Sequence, residues 1–398
     1  MAKPSPFKTI VLFLSLITLV VILSMILGRL WRGKPEILPE PEKWTISEEM
    51  TLKDFGQANG LANPALKEIF ELQTKSDLQK KLSEYGTAAQ IKSLVTKKLA
   101  LAAEHESKNW TKILIKFCLW FAFLTTLYIF FRGRKVSQVS RKIALFISVL
   151  IFGVIMGSDP SPMGTVKDAI HLYGSSGAIF PPRMIALLVF LLIVFVANKY
   201  ICAWGCQVGV LQDLIFRLNQ TIKRKAILGK QIKVSFVISN TIRLIFLGVF
   251  TIVAFIWGVD IIEPFDPFKI YKPAYLGLAG AFFVGILLIM SLFIYRPWCH
   301  FFCPFGLVGW LVEKISRIRV SVDYETCIGC KKCATACPST VMRAILIQDK
   351  ITIPDCFACY VCRDICPTES ISFSSRKRTL PPQGHFDKKI RSENDRQE

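Results

Sequence analysis

Residues 327–367 read Cys327-Ile-Gly-Cys330-Lys-Lys-Cys333-Ala-Thr-Ala-Cys337-Pro338, then a spacer, then Cys356-Phe-Ala-Cys359-Tyr-Val-Cys362-Arg-Asp-Ile-Cys366-Pro367. Both halves follow C-x2-C-x2-C-x3-C-P, and Cys356 stands 29 positions after Cys327, which marks an internal duplication. Three thiolates on one tight loop cap three corners of a [4Fe–4S] cube, and the fourth corner needs a ligand from elsewhere. In a paired run of this kind the last Cys of each half crosses to the other cube. The spacing therefore predicts one cluster on Cys327, Cys330, Cys333 and Cys366, and a second on Cys356, Cys359, Cys362 and Cys337. Pro338 and Pro367 set the turn after each crossing residue. Zinc prefers two CxxC pairs to two triplets each followed by a fourth Cys before Pro, and a disulfide framework suits a short secreted chain.

Around these loops, Ile318 to Asp323, Ile345 to Ile353 and Ile371 to Phe373 are predicted as the short strands of a small α+β, two-cluster bacterial-type ferredoxin domain over 317–375.

Of the 398 residues 52% are hydrophobic, and long apolar runs place the chain in a bilayer. The net charge of +21 lies beside those runs, where a positive-inside bias accounts for it better than nucleic acid does. Thirteen cysteines divide into eight in the paired runs, four in two C-x3-C pairs, and Cys118, which is read as a small packed hydrophobe.

Thr9 to Leu27 is long enough to span ~30 Å of hydrocarbon. No small-residue cleavage site follows it, so 1–33 reads as an uncleaved anchor. After a Pro- and Glu-bearing linker, apolar residues from Leu52 to Leu99 recur at helical spacing among charges, with helix starts at Asn63–Pro64 and Ser76–Asp77. Residues 34–110 are thus an extracytoplasmic helical module whose expected role is docking or packing. Five further spans are predicted at Ile113 to Phe131, Ile143 to Met156, Ile179 to Ala197, Thr241 to Val259 and Tyr275 to Tyr295. A second span with its basic loop occupies 111–140, and a four-helix membrane core occupies 141–316. Arg132 to Lys142 carries five positive charges and Arg217 to Lys233 six, neither with an acid. Positive-inside then puts both loops, both termini and the ferredoxin in the cytoplasm of a bacterial inner membrane, with the module outside. The tail 376–398 is charged and expected to be disordered.

Within the core, a loop bearing Asp159-Pro160 leads through a helix to Cys202-Ala-Trp-Gly-Cys206-Gln-Val-Gly209. A loop bearing Asp266-Pro267 leads likewise to Cys299-His-Phe-Phe-Cys303-Pro-Phe-Gly306. The units run in the same direction, as parallel repeats about an axis along the membrane normal would. Such an axis brings Cys202, Cys206, Cys299 and Cys303 together, and four-residue spacing puts each pair on one helix face. Buried structural cysteines, redox-active dithiols or a copper site, and a third metal centre such as another Fe–S cluster all remain open.

Two C-x3-C(P) motifs on membrane helices ahead of a two-cluster ferredoxin resemble the NapH/NosR-type membrane polyferredoxins over about residues 141 to 375. That family includes the quinol-dehydrogenase subunit of periplasmic nitrate reductase, a nitrous-oxide-respiration factor and a cytochrome-oxidase assembly protein. The resemblance carries the cluster ligands onto the eight cysteines above and the C-x3-C-P motif onto Cys299, Cys303 and Pro304; Gln207 stands where the first motif would have Pro.

Among other polar residues, His300 is read as a ring tip reaching the headgroups, and His171 as an outer surface residue. Arg243, which shares a face with Asn240, is read either as snorkelling or as functional. Asp159 and Asp266 are read as helix caps or as proton acceptors in quinol oxidation.

The function expected is membrane-bound electron transfer of a quinol dehydrogenase-like kind. It would link a quinone or an extracytoplasmic redox subunit to cytoplasmic-side [4Fe–4S] clusters and a soluble carrier. The alternative is a metalloenzyme maturation factor using the C-x3-C pairs for copper or disulfide reduction.

Overall fold

The computed structural model describes residues 5–28, 44–47, 49–74, 76–131, 136–221, 225–347, 355–375 and 378–386. Among the described residues four helices are long and apolar enough to cross a bilayer: Pro6–Leu27, Trp110–Phe131, Gln138–Ile155 and Phe236–Trp257. The third is α-helical to Ser148 and π-helical over Val149–Ile155. The other two expected spans are shorter helices, Pro181–Ala197 with 17 residues and Leu278–Met290 with 13. Hydropathy alone runs the last one on to Tyr295, but the chain leaves the helix at Ser291. The carbonyls freed there find other donors, Leu292 accepting from Asn219 Nδ2 at 2.9 Å and Phe293 from the Ile232 amide at 2.8 Å. That satisfies backbone groups no lipid could serve.

The helical module closes its own core on Leu52, Phe55, Leu66, Ile69, Phe70, Leu82 and Ile91, positions that the helical spacing singles out, and on Val95, which it does not. Thr87 and Gln90 form a capping box at the start of its longest helix, Ala88–Ser107. Near the end of that helix the buried Glu104 pairs with Arg183 at the start of Pro181–Ala197. The module is therefore pinned to one end of the membrane helices.

The ferredoxin sits at the opposite end. Lys112 and Lys116, early in Trp110–Phe131, lie by the Gly157–Asp159 loop, while the carbonyl of Phe131 accepts from Arg363 at 3.0 Å. Lys233, closing the second basic loop, donates to the carbonyls of Ala334 and Thr335 at 2.8 and 2.9 Å.

Two strands pair antiparallel, β1 (Arg319–Val322) with β2 (Ile371–Ser374), in the register Val320 to Phe373. The strand expected over Ile345 to Ile353 is not present in the part described: Val341–Ile347 is helical, and 348–354 lie outside the described residues. Val341, Met342 and Leu346 are all buried, and their spacing suits one helix face better than a strand. The tail also departs from expectation over 378–386. Arg378 donates to the Val320 carbonyl at 2.9 Å, and His385 and Phe386 pack on Tyr324. The remaining tail lies outside the described residues. Cys118 is exposed on the outside of its helix rather than packed.

Candidate iron–sulfur centres and the thiol tetrad

Two cavities in the ferredoxin are each ringed by four thiols. Cys337, Cys356, Cys359 and Cys362 line one, and Cys327, Cys330, Cys333 and Cys366 line the other. Each cavity thus takes three thiols from one loop and one from the other half. Thiols spread around a hollow suit a body with corners, such as an iron–sulfur cube, better than a single zinc.

The duplication is visible in the backbone. Gly329 and Ala358, at the same place in their loops, have φ of 70° and 48°, and Lys331 and Tyr360 have φ of 55° and 58°. Left-handed residues are costly outside glycine, so their repetition at Ala358 and Tyr360 marks a loop shaped around something. The turned backbone delivers amides to sulfur: Gly329 to Cys327, Ala334 to Cys333 and Ala358 to Cys356. Such donors favour thiolates and stabilise added negative charge. The helix Val341–Ile347 separates the two cavities, with Val341 and Met342 on one and Leu346 on the other.

Cys202, Cys206, Cys299 and Cys303 are all buried and lie within electrostatic reach of one another. Each pair straddles a helix break instead of sharing one continuous helix face. Cys202 is in Tyr200–Trp204 and Cys206 is the N-cap of Gln207–Leu218; Cys299 is in Pro297–Phe301 and Cys303 is the N-cap of Pro304–Glu313. Pro304 cannot donate to the preceding turn, so a new helix starts there with its positive end at the second thiol. The C-x3-C-x2-G spacing then has a physical reason. The amides of Gly209 and Gly306 donate to Cys206 and Cys303, the latter at 3.3 Å. A Cβ on either glycine would meet the carbonyl of Cys202 or Cys299 at 3.0 Å.

Three buried cations surround the tetrad. Arg296 donates to the Cys202 carbonyl at 2.5 Å and pairs with Asp213 at 2.7 Å. Arg243 donates to the Cys299 carbonyl at 3.2 Å and pairs with Asp355 at 2.7 Å. Lys199 donates to the Gly306 carbonyl at 2.9 Å and reaches Asp355 at 3.0 Å. Arg243 therefore does not snorkel; it is 1% exposed.

Asp355 adjoins Cys356, so this ion pair also locks one ferredoxin loop onto the tetrad. The Cys356 amide donates to Glu313 at 3.0 Å, and Trp204 Nε1 to the Ala358 carbonyl at 3.4 Å. Phe357 packs on Tyr295 and on His300, with ring centroids 5.8 and 5.2 Å apart. His300 therefore meets the ferredoxin instead of the headgroups. Against the cost of burial, Lys199 and Arg243 hold Asp355 below the ordinary carboxylate value, whereas burial lifts Glu313 above it. Sequence reading missed Asp213, Asp355, Glu313, Lys199 and Arg296; a local signal existed for Asp355, between Pro354 and Cys356, and for Arg296, before Pro297, and the other three had none.

Residues 319–367 match a 4Fe-4S dicluster domain, and residues 179–228 and 276–322, which hold the two C-x3-C pairs, each match a 4Fe-4S binding domain. The chain therefore carries ferredoxin-type 4Fe–4S domains on a helical body with four bilayer-length apolar helices.

It is 29% identical over 51% of its length to the protein named for electron transport, YccM, of Escherichia coli (strain K12), covering 59% of that protein. It is 26% identical over 38% of its length to the methylamine utilization ferredoxin-type protein MauN of Methylobacillus flagellatus, covering 53% of that one. The chain thus spans little more than half of these two relatives. A Methanocaldococcus jannaschii protein, MJ0749, matches at 25% identity over 60% of this chain and 87% of its own length. No solved structure matches.

Proposed function

We propose that the chain is a transmembrane iron–sulfur wire of the NapH/NosR type, with a third centre on Cys202, Cys206, Cys299 and Cys303. The carrying observation is the seating of the Cys356–Cys362 loop on a thiol tetrad ringed by Arg243, Arg296 and Lys199. A cluster held by four thiolates is anionic; Arg243, Arg296 and Lys199 outnumber their partners Asp213 and Asp355, and that excess with two glycine amides works against the cluster's charge. Bound there, an Fe–S cluster supplies one-electron storage. The protein's own residues hold it dry, fix its thiols and bring the cavity of Cys337, Cys356, Cys359 and Cys362 next to it. The cavity of Cys327, Cys330, Cys333 and Cys366 lies beyond.

In this reading Pro181–Ala197 and Leu278–Met290 complete six spans arranged as two repeated hairpins. Both basic loops and both termini face the cytoplasm of a bacterial inner membrane. A quinol or an extracytoplasmic redox subunit supplies electrons, and a soluble carrier takes them from the far cluster. Iron and acid-labile sulfide counting on anaerobically purified protein tests it. About twelve irons are expected, falling to about eight in Cys299→Ser. About eight in the unaltered chain would remove the third centre and favour a copper- or dithiol-handling maturation factor instead.

A further inference from the structure

At the end away from the ferredoxin lies a cavity of about 760 Å³, within the range of small-molecule sites. The two Asp-Pro loops wall it, and Ser107 and Lys108 of the module roof it. Met25, Ile113 and Ile155 form an apolar side, with Met25 57% exposed on the outside of the bundle. Lys112 also lines the cavity. Its residue is only 9% exposed, and its ammonium has no hydrogen-bond partner among the described residues. That ammonium opens on the cavity, so its donors are free for a ligand there.

The two loop aspartates differ. Asp159 is paired with Lys272. Against its desolvation, Lys272 and Lys108 hold it well below the usual carboxylate range, which makes it a poor base. Asp266 is 8% exposed, caps the Phe268 amide at 2.9 Å and stands 3.8 Å from Lys167. Burial pushes it up to about 7 despite the pull of Lys167. The charged groups acting on it are Lys167, Glu263 and Asp168, with Asp260 and Lys269 joined to that cluster through Lys167 and Glu263. Lys167 in turn reaches Glu263 at 2.7 Å, whose carboxylate is half exposed.

The cavity wall also touches the tetrad. Gln207, next to Cys206, donates to the carbonyls of Ser158 and Pro160 at 3.0 and 3.2 Å. Tyr271, a lining residue, donates its hydroxyl to the Gln207 carbonyl at 3.0 Å. The residue that replaces proline in the first motif is thus the strut between cavity and thiol.

We infer that this cavity binds the ring of a lipid-soluble hydroquinone, with Lys112 donating to one of its oxygens and Asp266 receiving the hydroxyl protons. This rests on the reading above that a quinol feeds a centre at the tetrad. Oxidation breaks two O–H bonds and releases two electrons and two protons. The electrons would leave one at a time past Gln207 toward the oxidised iron–sulfur centres, each of which takes one and which together are the oxidant. Each proton passes to Asp266, which Lys167 holds in place as a permanent cation, and leaves along the cavity past the half-exposed Glu263 to water.

The test uses the full chain in anoxic detergent or vesicles, with a short-chain menaquinol or ubiquinol as donor and cluster bleaching as readout. The rate in the unaltered chain is expected to rise with pH through about 7, as Asp266 loses its proton. Asp266→Asn should lower the rate about a hundredfold and flatten that rise, and Asp266→Glu should restore it. Lys112→Met should raise the apparent KM about tenfold while keeping the pH profile. Dithionite-reduced spectra identical to those of the unaltered chain establish that these variants keep their centres. If both variants oxidise quinol at the unaltered rate, the site is overturned and the donor reading survives. If the unaltered chain is reduced by dithionite but by no quinol, both fall together.

Discussion

Asp355 carries the joint between the ferredoxin and the membrane helices, and its worth follows from its burial. Its carboxylate faces Arg243 and Lys199 with almost no water near. Asp355→Ala leaves two buried cations with one partner fewer, a loss of ~3–5 kcal/mol. Earlier loss of cluster colour on heating would measure it. Lys98→Ala, which removes an ion pair to the 78%-exposed Glu71 carboxylate, should change stability by less than ~1 kcal/mol. Glu313 adds a pH dependence to the same joint. Its folded value is raised by burial, so its contribution to stability is full below the ordinary glutamate range and fades as pH rises through the raised value. Glu313→Gln should flatten that slope in a melting-temperature series.

At the scale of elements, helix contacts at the cavity end depend on single glycines. A Cβ on Gly174, in Pro162–Ser176, would lie 2.7 Å from the carbonyl oxygen of Ala254 in Phe236–Trp257. Neither backbone can yield locally, so the two helices must part. Gly174→Val should cost ~1–3 kcal/mol by overpacking. Gly248 is on that same long helix with nothing within 4 Å of its would-be Cβ. Gly248→Ala should be neutral or stabilise by ~0.5–1 kcal/mol, since alanine is the better helix former. Paired unfolding measurements in one detergent would separate the two.

For the molecule as a whole, the arrangement sets an order: the cavity beneath the helical module, thiol tetrad, then the cavity of Cys356, then that of Cys327. Cys356→Ser interrupts the middle of this series and Cys327→Ser its end. In Cys356→Ser protein the far cluster should still be reduced by dithionite but not by a quinol. In Cys327→Ser protein the near cluster should still respond to both. Electron paramagnetic resonance of the two variants decides it; quinol reduction of the far cluster without the near one would break the order.

Spacing along the chain was enough for the 4Fe–4S dicluster domain and for most of the module's core positions, because loops and helix faces are local. It sufficed as well for the four long spans, since hydropathy over twenty residues is local too. Folding alone decided that Asp355 meets Arg243, that His300 turns to Phe357, that Leu278–Met290 stops short, and that residues 378–386 lie on the ferredoxin. Each of these depends on partners tens to hundreds of positions away, where a buried charge or a freed carbonyl is satisfied only once the chain has closed around it.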